Sequence, residues 1–449
     1  MRVVLVSTYD LGRQPFGLAS PAAWLRRAGH DVAMLDLAVD PFDAASFAGA
    51  GLVAFHLPMH TATRLAVDLV PRVRAAAPGA KLAFYGLYAP VNEALLRALG
   101  ADAILGGEFE RELTAFADRC AAGSAADAPH VATSFERLPF AVPDRDGLPA
   151  PDRYARLVVP GGESRVAGAT EASRGCAHRC RHCPVVPVYG GRFRIVPAEV
   201  VLEDVRRQVE AGATHITFGD PDFWNGIGHA LPLVRELHAR HPHVTYDATI
   251  KVEHLLRHRR HLAVLRETGC AFVTTAVESL DEAVLARLEK GHTRADFIAA
   301  VAACRDADVA LSPTFIPFTP WTTADAYRDL LETLADLGLA AAVAPVQLAI
   351  RLLVPAGSRL LELDEVRRLV GPFDATSLVH PWRHADPGID ALHAQVHRIV
   401  SRGVAAGAAR EALFDEVASC AGARTPVPAP AAATFRLPPV PYLTEPWYC

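Results

Sequence analysis

Short apolar runs alternate with amphipathic stretches in two successive regions of this chain, and that rhythm leaves few folds open. In the first region the runs at 3–7, 32–37, 52–56, 81–85 and 103–105 predict strands. Helices are predicted between them, for example over 62–77 and 92–99. Continuously apolar strands separated by helices are strands covered on both faces, as in a parallel sheet. Five of them with short connections predict a flavodoxin-like doubly wound α/β domain over residues 1–123. A ligand site in such a sheet lies at the strand C-terminal ends, here near Tyr9, His56 to Met59, Gly86 and Gly106 to Glu108.

Residues 124–165 read as a linker, because 138–151 is rich in proline and turn residues. A second alternation then begins. Strands are predicted at 166–171, 215–219, 244–250, 272–277, 311–318 and 346–353, with helices at 198–211, 229–241, 252–268, 281–289, 294–307 and 323–337. Six βα units over 166–358 predict a partial (βα)6 TIM-like barrel, with its chemistry at the strand C-terminal ends. Residues 359–424 read as a helical C-terminal region, clearest over 391–418, and 425–449 as an extended proline-rich tail.

The 449 residues are 51% hydrophobic, enough for two or three cored domains. A net charge of −5 offers no electrostatic grip on nucleic acid or an anionic membrane. Forty-two of the 45 basic residues are arginine, leaving Lys81, Lys251 and Lys290. The N-terminal apolar run is too short for a signal peptide, and no stretch reaches the roughly 20 apolar residues that span a bilayer. A soluble cytoplasmic protein is expected.

Cys176, Cys180 and Cys183 stand at C-x3-C-x2-C spacing in the loop after the first barrel strand. Three thiolates leave one corner of a four-iron cluster open to a small molecule. The same residues with His178 or His182 also fit a closed Cys3His zinc site, and Cys180 with Cys183 fits a redox pair. The other cysteines are isolated, which does not suit a secreted disulfide framework.

The cysteine motif resembles the cluster loop of the radical S-adenosylmethionine (SAM) enzymes. Residues 1 to about 360 resemble those members that carry an N-terminal cobalamin (B12)-binding-type domain. The resemblance rests on the three cysteines, the 219–223 segment, Glu278-Ser279, the 354–358 exit from the sixth strand and the Gly106-Gly-Glu108 turn. It implies a [4Fe-4S] cluster on Cys176, Cys180 and Cys183, with S-adenosyl-L-methionine chelating the open iron. Reductive cleavage of SAM would then yield a 5′-deoxyadenosyl radical. An external electron donor of flavodoxin or ferredoxin type is implied as well.

The same resemblance implies the remaining site residues. Asp220, and secondarily Asp222, would receive the SAM amino group, with a helix cap as the bland alternative. Glu278 and Ser279 would contact the ribose, with a surface glutamate and a helix-capping Ser279 as the bland alternative, and His182 would lie against adenine where relatives carry Tyr or Phe. Lys251 would meet the SAM carboxylate, against the more ordinary reading of a solvated lysine; Arg287 and Lys290 stand in the same class.

One departure concerns cobalamin. Domains that supply a lower histidine ligand carry Asp-x-His-x-x-Gly after the first strand; here residues 9–17 contain no histidine. Cobalamin then binds without that histidine, with His56 or His60 as substitutes to consider, or the domain has lost it. The ending Glu-Pro-Trp-Tyr-Cys449 is similar to a radical SAM subgroup in which a second cysteine or a selenocysteine and Ala-Glu-Pro follow. A selenocysteine codon read as stop and a natural terminal thiol both fit. The expected function is radical SAM chemistry on an unidentified small molecule or peptide, with cobalamin-dependent methyl transfer where cobalamin binds. The rival is a zinc-stabilised binding or regulatory protein.

Overall fold

The computed structural model describes residues 1–124, 129–424 and 440–444. The first sheet holds β1 (Arg2–Ser7), β2 (Asp31–Asp36), β3 (Leu52–His56), β4 (Lys81–Tyr85), β5 (Ala103–Gly107) and β6 (His130–Ser134). All pair in parallel in the order β2-β1-β3-β4-β5-β6. Helices Phe16–Arg27 and Glu110–Ala121 pack on one face through Leu18, Leu25, Leu113 and Phe116. Helix His60–Ala76 covers the other through Ala66, Val70 and Val73. Alternate residues of β1 feed opposite cores, Val3 and Leu5 one and Val4 and Val6 the other, which is why the run is apolar without a break.

β6 is a correction, since 124–165 reads as linker in the sequence. It is an edge strand whose side chains alternate between half-buried and exposed, so His-Val-Ala-Thr-Ser carries no apolar signal. The 138–150 stretch of that segment contains no helix or strand.

The second sheet adds β7 (Arg156–Val158), β8 (Ser164–Thr170), β11 (His215–Phe218), β12 (Thr245–Thr249), β13 (Cys270–Glu278), β14 (Leu311–Phe315) and β15 (Tyr442–Leu443). Between β8 and β11 comes a small hairpin of β9 (Ser173–Gly175) and β10 (Phe193–Ile195). The order is β14-β13-β12-β11-β8-β7-β15, with β8 and β11 to β14 parallel and β7 and β15 antiparallel.

The expected sixth barrel strand at 346–353 is reduced to one bridge, Phe318 to Arg351. Pro345 begins a 3-10 turn there and has no N–H to offer a ladder. Gln347 supplies the missing acceptor instead, its Oε1 taking the Phe315 N–H at 3.0 Å. The helical stretch at 391–418 is two helices, Pro387–Ala405 and Arg410–Ala421, which pack beside that turn and the helix Ala324–Asp336. Among the described residues no helix is long and apolar enough to cross a membrane. Residues 425–439 and 445–449 of the tail, Cys449 included, lie outside the described residues.

Candidate active site between the two domains

The β9–β10 hairpin clasps the cysteine loop. Residues 176–184 and the short helix Val185–Tyr189 lie between its strands. Gly175 has φ of +73°, and a Cβ there would come within 2.4 Å of the Arg192 carbonyl oxygen. Only glycine lets the chain enter the loop at that point. Cys176 and Cys180 are buried and Cys183 is half-buried. Burial pushes the Cys176 thiol up, and it pushes Cys183 up to about 12 with help from neighbouring Cys180 and Cys176. Thiols raised as Cys176 and Cys183 are do not ionise at neutral pH unaided; a metal centre deprotonates a coordinating thiol outright.

Two buried lysines supply positive charge. Lys251, whose ordinary reading in the sequence is a solvated residue, is buried, with Nζ 3.8 Å from Cys180 Sγ and 3.0 Å from the Lys290 carbonyl oxygen. Lys290 Nζ in turn reaches Glu278 Oε1 at 3.2 Å. The β13–β14 register shifts between Ala276 and Glu278, and Glu278 sits at φ +70°. Irregularities of this kind re-aim a side chain. The same oxygen lies 3.2 Å from His182 Nε2. Burial alone would raise the Glu278 pKa, but Lys290 and then His182 outweigh it and hold it near 2.

A cavity of about 430 Å³ lies against this group. His182, Cys183, Asp220 and Glu278 line it from the barrel, and Leu11, Met59 and Tyr88 from the first domain. Through Arg13, Thr249 and Gln347 it adjoins a second space of about 460 Å³ inside the barrel. A third, of about 240 Å³, lies over the strand ends of the first domain.

The remaining sequence candidates separate. Both Asp220 oxygens are engaged, Oδ2 by the Ala172 N–H at 2.9 Å and Oδ1 by Ser173 Oγ at 2.5 Å. It therefore braces the strand that enters the cysteine loop. Burial pushes its pKa up to about 7. The folded state then holds a proton that the unfolded chain has released above about pH 4. This group's contribution to stability is greatest at low pH and declines as pH rises towards 7. Asp220→Asn cannot ionise, so urea midpoints compared at about pH 5 and about pH 7.5 should differ less in the variant than in the unaltered chain.

Asp222 has no exposed side-chain surface and does not line the cavity. It caps the turn Phe223–Gly226 and faces His178 and His254. Ser279 Oγ accepts the Asp281 N–H at 3.0 Å, a turn ahead of helix Glu282–Leu288, and is absent from the cavity wall. Arg287 pairs with Glu365 and sits over Trp321.

Sequence reasoning missed Arg174. Its guanidinium is buried where the hairpin meets the first domain, 2.6 Å and 3.0 Å from the two Glu110 oxygens, 3.3 Å from Glu108 and 2.9 Å from Glu171. Arg174 holds Glu110 below its ordinary pKa against the opposing effect of burial, while burial keeps Glu108 raised. Its place in Ser-Arg-Gly-Cys, two residues before the first cysteine, was the available signal.

A doubly wound parallel sheet followed by an incomplete α/β barrel, with three cysteines after its first parallel strand, is the architecture that comparison with known proteins addresses. Residues 170–334 match the model of the radical SAM superfamily. The chain is similar to the hopanoid C-3 methylase of Methylococcus capsulatus, 26% identical over 293 residues that cover 62% of this chain and 56% of that protein. It is also similar to the tRNA-2-methylthio-N(6)-dimethylallyladenosine synthase of Chloroflexus aurantiacus, 29% identical across 36% of this chain and 37% of that one. The chain thus spans little more than half of the first relative and less of the second.

Among solved structures it resembles the radical S-adenosylmethionine methyltransferase TsrM from Kitasatospora setae. The TM-score is 0.58 at 19% identity, covering 75% of this chain and 70% of that one. It also resembles the cobalamin-dependent S-adenosylmethionine radical enzyme OxsB, with a TM-score of 0.65 at 12% identity over 90% and 67%. At these identities the likeness is one of fold. The zinc-stabilised reading is not favoured, because the cysteines fall within the matched domain and the histidines of the loop turn towards carboxylates.

Proposed function

We propose that this chain is a radical SAM enzyme that binds S-adenosylmethionine in the cavity between its two domains, and that its reaction is cobalamin-dependent methyl transfer. The observation that carries this reading is the placement of the three-cysteine loop against a cavity walled by the strand ends of both sheets. Bound there, a [4Fe-4S] cluster would supply the electron that opens the sulfonium C–S bond, and cobalamin a transferable methyl group.

The residues present suit these groups. Cys176, Cys180 and Cys183 are the cluster ligands, and Lys251 with Lys290 offsets the charge of the thiolates. Glu278, ionised and fixed by Lys290 and His182, offers an acceptor for ribose hydroxyls, and the His182 ring a flat surface for adenine. Asp220 acts through the loop it braces. Asp222 and Ser279 lie off the cavity wall and take no part in holding SAM.

For cobalamin, Arg13 Nε and His56 Nδ1 are buried without a hydrogen-bond partner among the described residues, and both residues line the strand-end space. They suit the amide-rich rim of a corrin. His60 is bound to the Ser377 carbonyl oxygen at 2.7 Å and is no substitute ligand. The substrate is a small molecule or peptide that enters the adjoining threonine-lined barrel space, the electron donor is an external flavodoxin or ferredoxin, and the setting is cytoplasmic.

Anaerobic incubation of the reconstituted chain with SAM and dithionite tests the reading. 5′-Deoxyadenosine or S-adenosylhomocysteine should accumulate; neither product from a chain with its full iron content overturns it. Hydroxocobalamin titrated into the same full-length chain should shift its visible spectrum, and an unshifted spectrum removes methyl transfer while leaving SAM cleavage standing.

A further inference from the structure

We propose that His178, Asp222 and His254 form a second metal site, separate from the cysteines, that takes one zinc-type divalent cation. The three residues come from three elements. His178 lies between Cys176 and Cys180, Asp222 follows β11, and His254 is in the helix Val252–Arg257 that follows β12. Their free atoms converge: Asp222 Oδ2 is 2.7 Å from His254 Nδ1 and 3.5 Å from His178 Nε2. All three lie within 4.8 Å of one another.

The three atoms are buried and have one another as partners, Asp222 Oδ2 being paired with both imidazole nitrogens. Asp222 has no exposed side-chain surface and His254 has 7%. A carboxylate buried in this way needs positive charge beside it, from the imidazoles themselves or from a cation held between the three groups. Zinc bound tetrahedrally at about 2.0–2.2 Å puts neighbouring ligand atoms roughly 3.3 Å apart. The two distances to Asp222 bracket that spacing, and the two histidine nitrogens, within 4.8 Å of each other, close on the ion by side-chain adjustment.

The surroundings are those of a metal site as well. The second nitrogen of a metal-bound histidine usually faces a carboxylate or carbonyl. His178 Nδ1 faces Glu253 Oε2 at 3.7 Å. Asp222 Oδ1 is already taken by the Trp224 N–H at 3.3 Å and the Lys251 N–H at 3.4 Å, which leaves Oδ2 for the ion. Two imidazoles and one carboxylate suit a borderline cation and leave a fourth position for water. The ion would fasten the cysteine loop to the ends of β11 and β12. It does not depend on the radical reading, because the donor set contains no sulfur.

The test uses the full-length chain with Cys176→Ala, Cys180→Ala and Cys183→Ala together, which removes the loop thiolates. Zinc alone, titrated against a chromophoric chelator, should bind one per chain. His254→Ala in that background should weaken binding by about a hundredfold or more, above the loss seen for outer-shell partners. No bound zinc, or zinc bound equally without His254, overturns the site. The cluster-loaded chain with its cysteines intact gives a second measurement, in case the triple variant does not fold. Zinc should be counted beside iron, and His254→Ala should remove zinc and leave iron; zinc unchanged in that variant overturns the proposal. Cobalt(II) in the triple-cysteine variant should show d–d bands without a thiolate charge-transfer band, and such a band would place the cation on another sulfur and overturn the proposal.

Discussion

Cys176→Ala should cut formation of 5′-deoxyadenosine and S-adenosylhomocysteine to background, with iron content falling in step. Three thiolates are already one short of a cube's four corners, and the loop has no spare sulfur to recruit. Cys120, Cys270, Cys304 and Cys420 lie on other elements of the fold. The effect should be on assembly rather than on folding. Cys176 packs with Val185, Val188 and Tyr189, and losing one buried sulfur from so small a cluster should cost only about 1–2 kcal/mol. Iron analysis, the visible spectrum and a urea unfolding curve on one preparation separate the two. A variant that keeps its iron and its products would show that Cys176 is not a ligand.

Arg174→Met should produce the largest loss of stability of any single change proposed. The side chain is buried and faces Glu108, Glu110 and Glu171, with the first two fully buried. Breaking a buried ion pair on one side commonly costs about 3–5 kcal/mol, because the remaining charge is stranded. The loss should depend on pH in a definite direction. Without the guanidinium, Glu110 loses what holds it below its ordinary value and burial pushes it up, while Glu108 and Glu171, already raised, rise further. The folded variant then holds protons that the unfolded chain releases, so its stability falls as pH rises. The gap between variant and unaltered chain should be smaller at about pH 5 than at about pH 7.5. Urea midpoints at the two values check this, and equal gaps would mean that Glu108 and Glu110 have found other partners. Because Arg174 comes from the barrel hairpin and Glu108 and Glu110 from the first domain, the first unfolding transition should be the one to move.

The candidate site carries the clearest contrast between what was legible and what was not. The cysteine loop could be read because its three thiols are close in sequence, and the strands before it because an interior parallel strand is apolar on both faces. Where those local signals fade, expectation and fold part. β6 is an edge strand with polar outer positions, and the sixth barrel strand gives way to the Gln347 side chain and a bridge at Arg351. A glutamine amide standing in for a strand carbonyl has no periodicity to detect.

Lys251 illustrates the same limit at the site. A lone lysine in a sequence is ordinarily solvated, yet this one is buried beside Cys180, 71 residues away. Asp220 and Asp222 differ by two positions and look alike, but one braces the strand before the cysteine loop and the other faces two histidines. Their division of labour depends on which side of a strand end each one falls.

The order of strands and helices, the set of three neighbouring thiols and the face of the barrel they occupy were fixed by local pattern, since periodicity and short spacing act within a few residues. The partners of buried charge were decided by tertiary structure alone: Arg174 with Glu108 across 66 positions, Lys290 with Glu278, and Asp222 with His178 and His254. A buried ion must find its counter-charge wherever packing brings one, and that distance in space leaves no mark on distance along the chain.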